Sequence, residues 1–141
     1  MRFIIAILAL AGVWVSVLAL RIHYSTETAP CSINAKWDCD LVNHSPYSEI
    51  SGIPVATIGI AGYVALAGLA LIRQRVLVFV MAVMGLGIAL YLAHIERDIL
   101  MVWCLYCVIS LGVIAAITAL SLGWAAFWGM RSKYEERGRS E

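Results

Sequence analysis

Hydrophobic residues in this chain form four unbroken runs, at about 3–20, 53–72, 76–95 and 101–128, rather than stripes or alternating positions. Polar residues collect between the runs, in a segment at 21–51 and in short turns around Arg73 and Glu96, and in a charged tail at 131–141. A bilayer span needs about 20 apolar residues, and every run reaches or approaches that length. Backbone N–H and C=O groups in lipid have no water to bond, so each run is read as a helix. The pattern therefore predicts one all-α membrane domain over 1–141, a four-helix bundle with an external loop at 21–51. The first run also resembles a signal peptide, with Arg2 before it and Val17-Leu18-Ala19 near its end. Its apolar core is longer than the usual 7–15 residues, which favours a retained helix.

The segment at 21–51 is below the roughly 40 residues at which a piece of chain folds alone. It is expected to lie on the bundle as a cap, docked by Trp37, Leu41 and Val42 and bracketed by Pro30 and Pro46. Pro54 suits the first turn of the second helix. Gly112 and Ala116, Ala119 and Gly123, and Gly52, Ala56 and Gly59 are spaced for close helix packing in lipid. The charged tail reads as a frayed end.

Composition agrees with the runs. The chain is 62% hydrophobic and 13% charged, with a mean hydropathy of +0.89, far from a soluble domain. A net charge of +1 without a basic cluster gives no footing for nucleic acid. With the amino terminus in the cytoplasm, Arg2, Arg73, Arg75, Arg131, Lys133, Arg137 and Arg139 lie inside. Arg21, Lys36 and Arg97 lie outside. That is the positive-inside bias, and Trp103, Tyr106, Trp124 and Trp128 suit the two interfaces. In this orientation all four cysteines share the non-cytoplasmic face, where disulfides persist.

Those cysteines carry the candidate chemistry. Cys104 and Cys107 form a Cys-x-x-Cys pair at the start of the last run, where a helix dipole favours thiolate. Cys31 and Cys39 stand eight positions apart. On a straight helix that is about 12 Å, beyond the roughly 7 Å Cα separation a disulfide tolerates. Either the segment bends to pair them, or one reaches across to the Cys-x-x-Cys pair. Both options suit a thiol relay, in which a flexible dithiol meets a partner and then a fixed dithiol. A lipid-buried dithiol needs an apolar two-electron acceptor, and a quinone is one. The competing readings are inert structural disulfides, or a membrane scaffold or transporter subunit whose cysteines bind zinc. His94, beside Glu96, Arg97 and Asp98, has two readings, a proton donor to the acceptor or the commoner interface anchor. His23 and His44 carry no stronger signal.

The ordered set is more specific than its parts: two external cysteines eight apart, Ser45, Gly52-Ile53-Pro54, then Cys-x-x-Cys opening the fourth helix. It resembles the vitamin K epoxide reductase family in its short prokaryotic form, without a fused thioredoxin-like domain. The DsbB-type disulfide generators place their two pairs in the reverse order.

The resemblance implies a thiol:quinone oxidoreductase of a bacterial or archaeal cell membrane that promotes disulfide formation. Electrons would pass from a separate thioredoxin-like extracytoplasmic protein to Cys31/Cys39, then to Cys104/Cys107, then to ubiquinone or menaquinone. Cys107 would face the quinone as a thiolate, Cys104 would exchange with Cys39, and the partner would attack Cys31. Ser45 matches the family's loop hydroxyl, though a turn or cap role fits its local chemistry equally well. Tyr106 joins the quinone-side group. Two departures stand out: the tyrosine four residues after the second active-site cysteine is Leu111 here, and the asparagine before the second helix corresponds to Ser48.

Overall fold

A computed structural model describes all 141 residues. Its helices are α1 (Arg2–Tyr24), the short α2 (Cys39–Asn43), α3 (Val55–Leu71), α4 (Arg75–Ile95) and α5 (Leu105–Arg139). A 3₁₀ turn at Pro46–Ser48 and a hairpin of β1 (Glu49–Ile50) and β2 (Ile53–Pro54) connect α2 to α3. In the hairpin Glu49 pairs with Pro54 and Ile50 with Ile53. Its two turn residues, Ser51 and Gly52, both have positive φ, at 53° and 80°, the backbone of the tight turns that match strand twist.

The four long helices form a ring, α1 against α3, α3 against α4, α4 against α5 and α5 back against α1. The α1–α3 seam is the most extensive and the α3–α4 seam the sparsest. Ile5, Ala9, Leu66, Ala70, Val78 and Ile117 fill the centre. Outward positions are just as apolar, and Ile7, Trp14 and Met84 are exposed. A surface of that kind is stable only against lipid. Helix α1, α4 with its following turn, and α5 are long and apolar enough to cross a membrane, and the 17-residue α3 is apolar but shorter. This is an all-α membrane bundle. At the end remote from the cysteines, the Arg75 guanidinium lies over the Trp128 ring at 3.9 Å and the Trp124 ring at 5.3 Å, a favourable cation–π arrangement.

Several boundaries differ from the sequence expectation. The second long helix starts at Val55 because Ile53 and Pro54 are held in the hairpin, and Pro54 is its N-cap rather than a first-turn residue. Helix α5 starts at Leu105, not 101, because Trp103 is drawn into backbone pairing with the loop and Cys104 is extended. Helix α4 winds on through a π turn, Glu96–Leu100, and stops where Met101 turns left-handed at φ 55°. The tail is helical to Arg139, where Glu135 and Arg139 have the favourable i,i+4 order. The small-residue seams also differ. A Cβ on Gly59 would lie 3.0 Å from the Ser16 hydroxyl, as expected of that seam, but Gly112 and Gly123 meet no neighbour, and the tightest approach is at Gly12, where a Cβ would lie 2.5 Å from the Tyr63 ring.

Candidate active site

The loop that carries Cys31 and Cys39 is bent by one asparagine. Asn34 Oδ1 accepts from the backbone N–H of Lys36 at 2.9 Å and of Trp37 at 3.2 Å, an Asx turn. The reversal brings the Ile33 N–H to the Trp37 carbonyl at 3.0 Å. It also brings Cys31 and Cys39 to a Cα separation of 5.8 Å, joined as a disulfide. Of the two options open in the sequence, the segment bends. Two aspartates hold the bend: Asp38 caps α2 by accepting from Leu41 N–H at 3.1 Å. Asp40 Oδ2 accepts from Ala29 N–H at 2.7 Å and from the Ser32 hydroxyl at 2.9 Å.

Backbone pairing then docks this loop on the second thiol pair. Trp103 N–H donates to the Lys36 carbonyl at 2.7 Å, and Asp38 N–H donates to the Trp103 carbonyl at 3.0 Å. Cys104 is the N-cap of α5, and Cys107 lies in its first turn. Both thiols are free. Cys31, Cys39 and Cys104 share one buried cluster with Val42 and Val102, and Cys107 packs against it. Asn43 ties the two pairs together, its Nδ2 donating to the Cys39 carbonyl at 2.9 Å and reaching Cys104 Sγ at 3.6 Å. The hydrogen bond from the Cys107 thiol holds the Cys104 thiol below its ordinary range, against the opposing effect of burial.

Beneath the thiols lies a cavity of about 310 Å³, with 19 of its 30 lining residues hydrophobic. That size is at the lower end of small-molecule sites, and the lining suits an apolar ring. Cys107 lines it and Cys104 does not. On the bilayer side its wall runs through Ile58 of α3 and Met84 and Ile88 of α4, all exposed, along the sparse α3–α4 seam.

Ser45, Ser48 and Tyr106 line this cavity as well; Leu111 does not. The hydroxyls of Ser45 and Ser48 donate to the carbonyls of Val42 at 2.8 Å and Ser45 at 2.7 Å. Their hydrogens are thus committed to the turn. Three lining residues escaped the sequence reading. Asn43 follows Cys39 by one helical turn, a spacing that would have flagged it. Glu96 was grouped with exposed turn charges, yet it is buried, at 3% exposure. Tyr63 sat unremarked in an apolar run. Its hydroxyl lies 2.9 Å from the Ser110 carbonyl and 2.8 Å from the Ser110 hydroxyl. His23 lines the cavity through bonds of structural character, with Nδ1–H donating to the Asn43 carbonyl at 2.6 Å. His94 pairs with Asp98 at the surface. No three His, Cys, Asp or Glu side chains gather in a metal-holding group, and two of the four sulfurs a zinc site would need are bonded to each other.

A disulfide in the cap, packed against a free thiol pair at the end of an apolar helical bundle, marks a membrane thiol–disulfide oxidoreductase. A model of the Vitamin K epoxide reductase family matches residues 3–122 of the 141, and the chain belongs to that family. No curated protein matches it.

Proposed function

We propose that this protein oxidises the dithiol of a thioredoxin-like extracytoplasmic partner and passes the two electrons to a membrane quinone, ubiquinone or menaquinone. The observation that carries this reading is the docking of an oxidised Cys31–Cys39 loop on a reduced Cys104/Cys107 pair whose inner thiol lines an apolar cavity.

The steps follow from thiol–disulfide exchange. A partner thiolate attacks Cys31, a mixed disulfide forms, and the partner's second thiol releases the loop as a dithiol. Cys39 attacks Cys104 of an oxidised Cys104–Cys107 pair, freeing Cys107. Cys31 then attacks Cys39, restoring the loop disulfide and leaving Cys104/Cys107 reduced. That is the redox state described above, and it is the one ready to reduce quinone. Asn43 positions the Cys39–Cys104 pair for this exchange. Cys31 is 3% exposed, so reaction with a protein requires the loop to swing off the bundle. The Tyr63–Ser110 pair supplies polar contacts deep in the cavity, and the apolar walls hold the quinone ring and exclude water.

The positive-inside charge distribution supports an orientation with the cysteine end outside the cytoplasm of a bacterial or archaeal cell, in the compartment where disulfides persist. The test is quinone-dependent oxidation of a reduced thioredoxin-like protein by the reconstituted protein. Stoichiometric quinol formation is the expected result; partner oxidation independent of added quinone overturns the reading.

A further inference from the structure

The reaction moves protons as well as electrons, and the thiols alone do not say how a proton leaves a dry site. The cavity holds one carboxyl group, Glu96, at the junction of α4 and its π turn. It is 3% exposed and forms no salt bridge; neighbouring Arg97 lies instead at the surface near Asp98. Its Oε2 accepts from Cys104 N–H at 3.1 Å, and Cys107 lines the same cavity wall as the carboxyl group. A buried, unpaired carboxyl group is costly, so its position calls for a use. The π turn and left-handed Met101 set it facing the thiols, the sort of helix irregularity that accompanies functional positions.

Resting on the quinone-reduction reading above, we propose that Glu96 is the proton-transfer residue of that reaction, taking the Cys107 thiol proton and delivering it to a quinone oxygen. The balance closes with Cys104 as thiolate and Cys107 as thiol. The Cys107 S–H bond breaks, the Cys104–Cys107 S–S bond forms, and two electrons pass to the quinone. One proton reaches a quinone oxygen through Glu96, and the second comes from water at the cysteine end. Other titratable groups at this cavity or bonded to the carboxyl group are Cys104 at the N-cap of α5, Tyr106 and Cys107 from α5, His23 from α1, Tyr47 from the 3₁₀ turn and Tyr63 from α3. None of the others both accepts from the Cys104 N–H and lines the cavity wall.

The experiment is single-turnover quinol formation by the reduced, full-length protein in lipid nanodiscs with a short-chain ubiquinone, across pH and in H₂O and D₂O. Glu96→Gln keeps an acceptor for Cys104 N–H but cannot shuttle a proton. It is expected to slow quinol formation by about 100-fold, at the lower end of general acid–base contributions. It is also expected to flatten the pH profile and remove the solvent isotope effect, with quinone affinity and dithiothreitol exchange at the loop disulfide unchanged. Glu96→Asp is expected to restore part of the rate with a displaced pH profile. An E96Q rate within threefold of the native one, or a slowed rate with the native pH profile and isotope effect, overturns the assignment. If E96Q fails to fold, an undisplaced E96D profile overturns it. Absence of quinone-driven thiol oxidation in the native protein overturns instead the function on which this proposal rests.

Discussion

The cap and the bundle are built by opposite means. The cap, from Ala29 to Ser48, is held by short polar bonds: Asn34 on its own turn, Asp38 on α2, Asp40 on Ala29 and Ser32, and Trp103 on Lys36. The bundle is held by apolar packing, with Gly12 under Tyr63 and Ile117, Val78 and Leu66 at its centre. Polar bonds at a water-facing edge can be exchanged for bonds to solvent at little net cost. Close-packed helices in lipid have no such substitute. The cap is therefore the part suited to open, and the bundle the part suited to stay closed around an apolar acceptor. Cys31 and Cys39 lie on the first, Cys104 and Cys107 where the two meet.

The sharpest way to break that division is to remove the thiol that faces the cavity. Cys107→Ser is expected to lower quinone-dependent dithiol oxidation on the order of a thousandfold or more, as loss of a reacting nucleophile does. Quinol absorbance in reconstituted membranes checks it, and a rate near normal would detach the cavity from the chemistry. Cys31→Ser separates the two regions instead. It is expected to abolish oxidation of a protein dithiol while oxidation of dithiothreitol, small enough to reduce Cys104–Cys107 directly, continues. Equal loss of both would show that the loop serves the bundle's stability rather than exchange.

Opening of the cap is the next contrast. Asp40→Ala removes the acceptor for Ala29 N–H and the Ser32 hydroxyl, bonds to a charged group worth about 1.5–3 kcal/mol each. Cys104 is fully buried under this loop, so its alkylation reports opening. A rise of roughly tenfold or more is expected in D40A, where about 1.4 kcal/mol corresponds to tenfold, with thermal stability of the bundle little changed.

These contrasts also explain what could be read in advance. The runs at 3–20, 53–72 and 76–95 gave the bundle, because lipid leaves an apolar stretch no alternative to helix. The four cysteines and Ser45 stood out through their ordered spacing, and Ser48 and Tyr106 only through the resemblance to the family. The start of α5 was not: Trp103 and Cys104 are apolar enough to continue a helix, and only backbone pairing with Lys36 and Asp38 holds them extended. Tyr63 and Glu96 were invisible for a related reason. Their meaning depends on α1, α3, α4 and α5 meeting, which no local pattern encodes. The small-residue seams on α5 failed because spacing names a possible face without naming its neighbour.

Within the bundle, Gly12→Ala tests close packing at the α1–α3 seam. The new methyl would lie 2.5 Å from the Tyr63 ring, and overpacking of this kind costs about 1–3 kcal/mol. A lower unfolding temperature in detergent micelles is expected, with the loop disulfide still forming. Native stability would place the ring elsewhere.

The smallest effect is assigned to the Tyr63 hydroxyl, beside Ser110 on the cavity wall. Tyr63→Phe keeps the ring that fills the space over Gly12 and removes only the oxygen that bonds to Ser110. If that oxygen only closed the α3–α5 contact, the loss would fall on stability and leave quinone binding alone. If on quinone binding its hydrogen turns from the Ser110 carbonyl to a quinone oxygen, affinity falls by up to roughly fivefold, the worth of one neutral hydrogen bond of about 1 kcal/mol. The second outcome is expected, because Tyr63 and Ser110 both line the cavity while the apolar core of α3, at Leu66 and Ala70, carries the packing. Quinone titration of Y63F against the native protein, read beside its melting curve, separates the two. A shifted melting curve with unchanged affinity would make the deep end of the cavity purely structural and confine quinone recognition to the cysteine end.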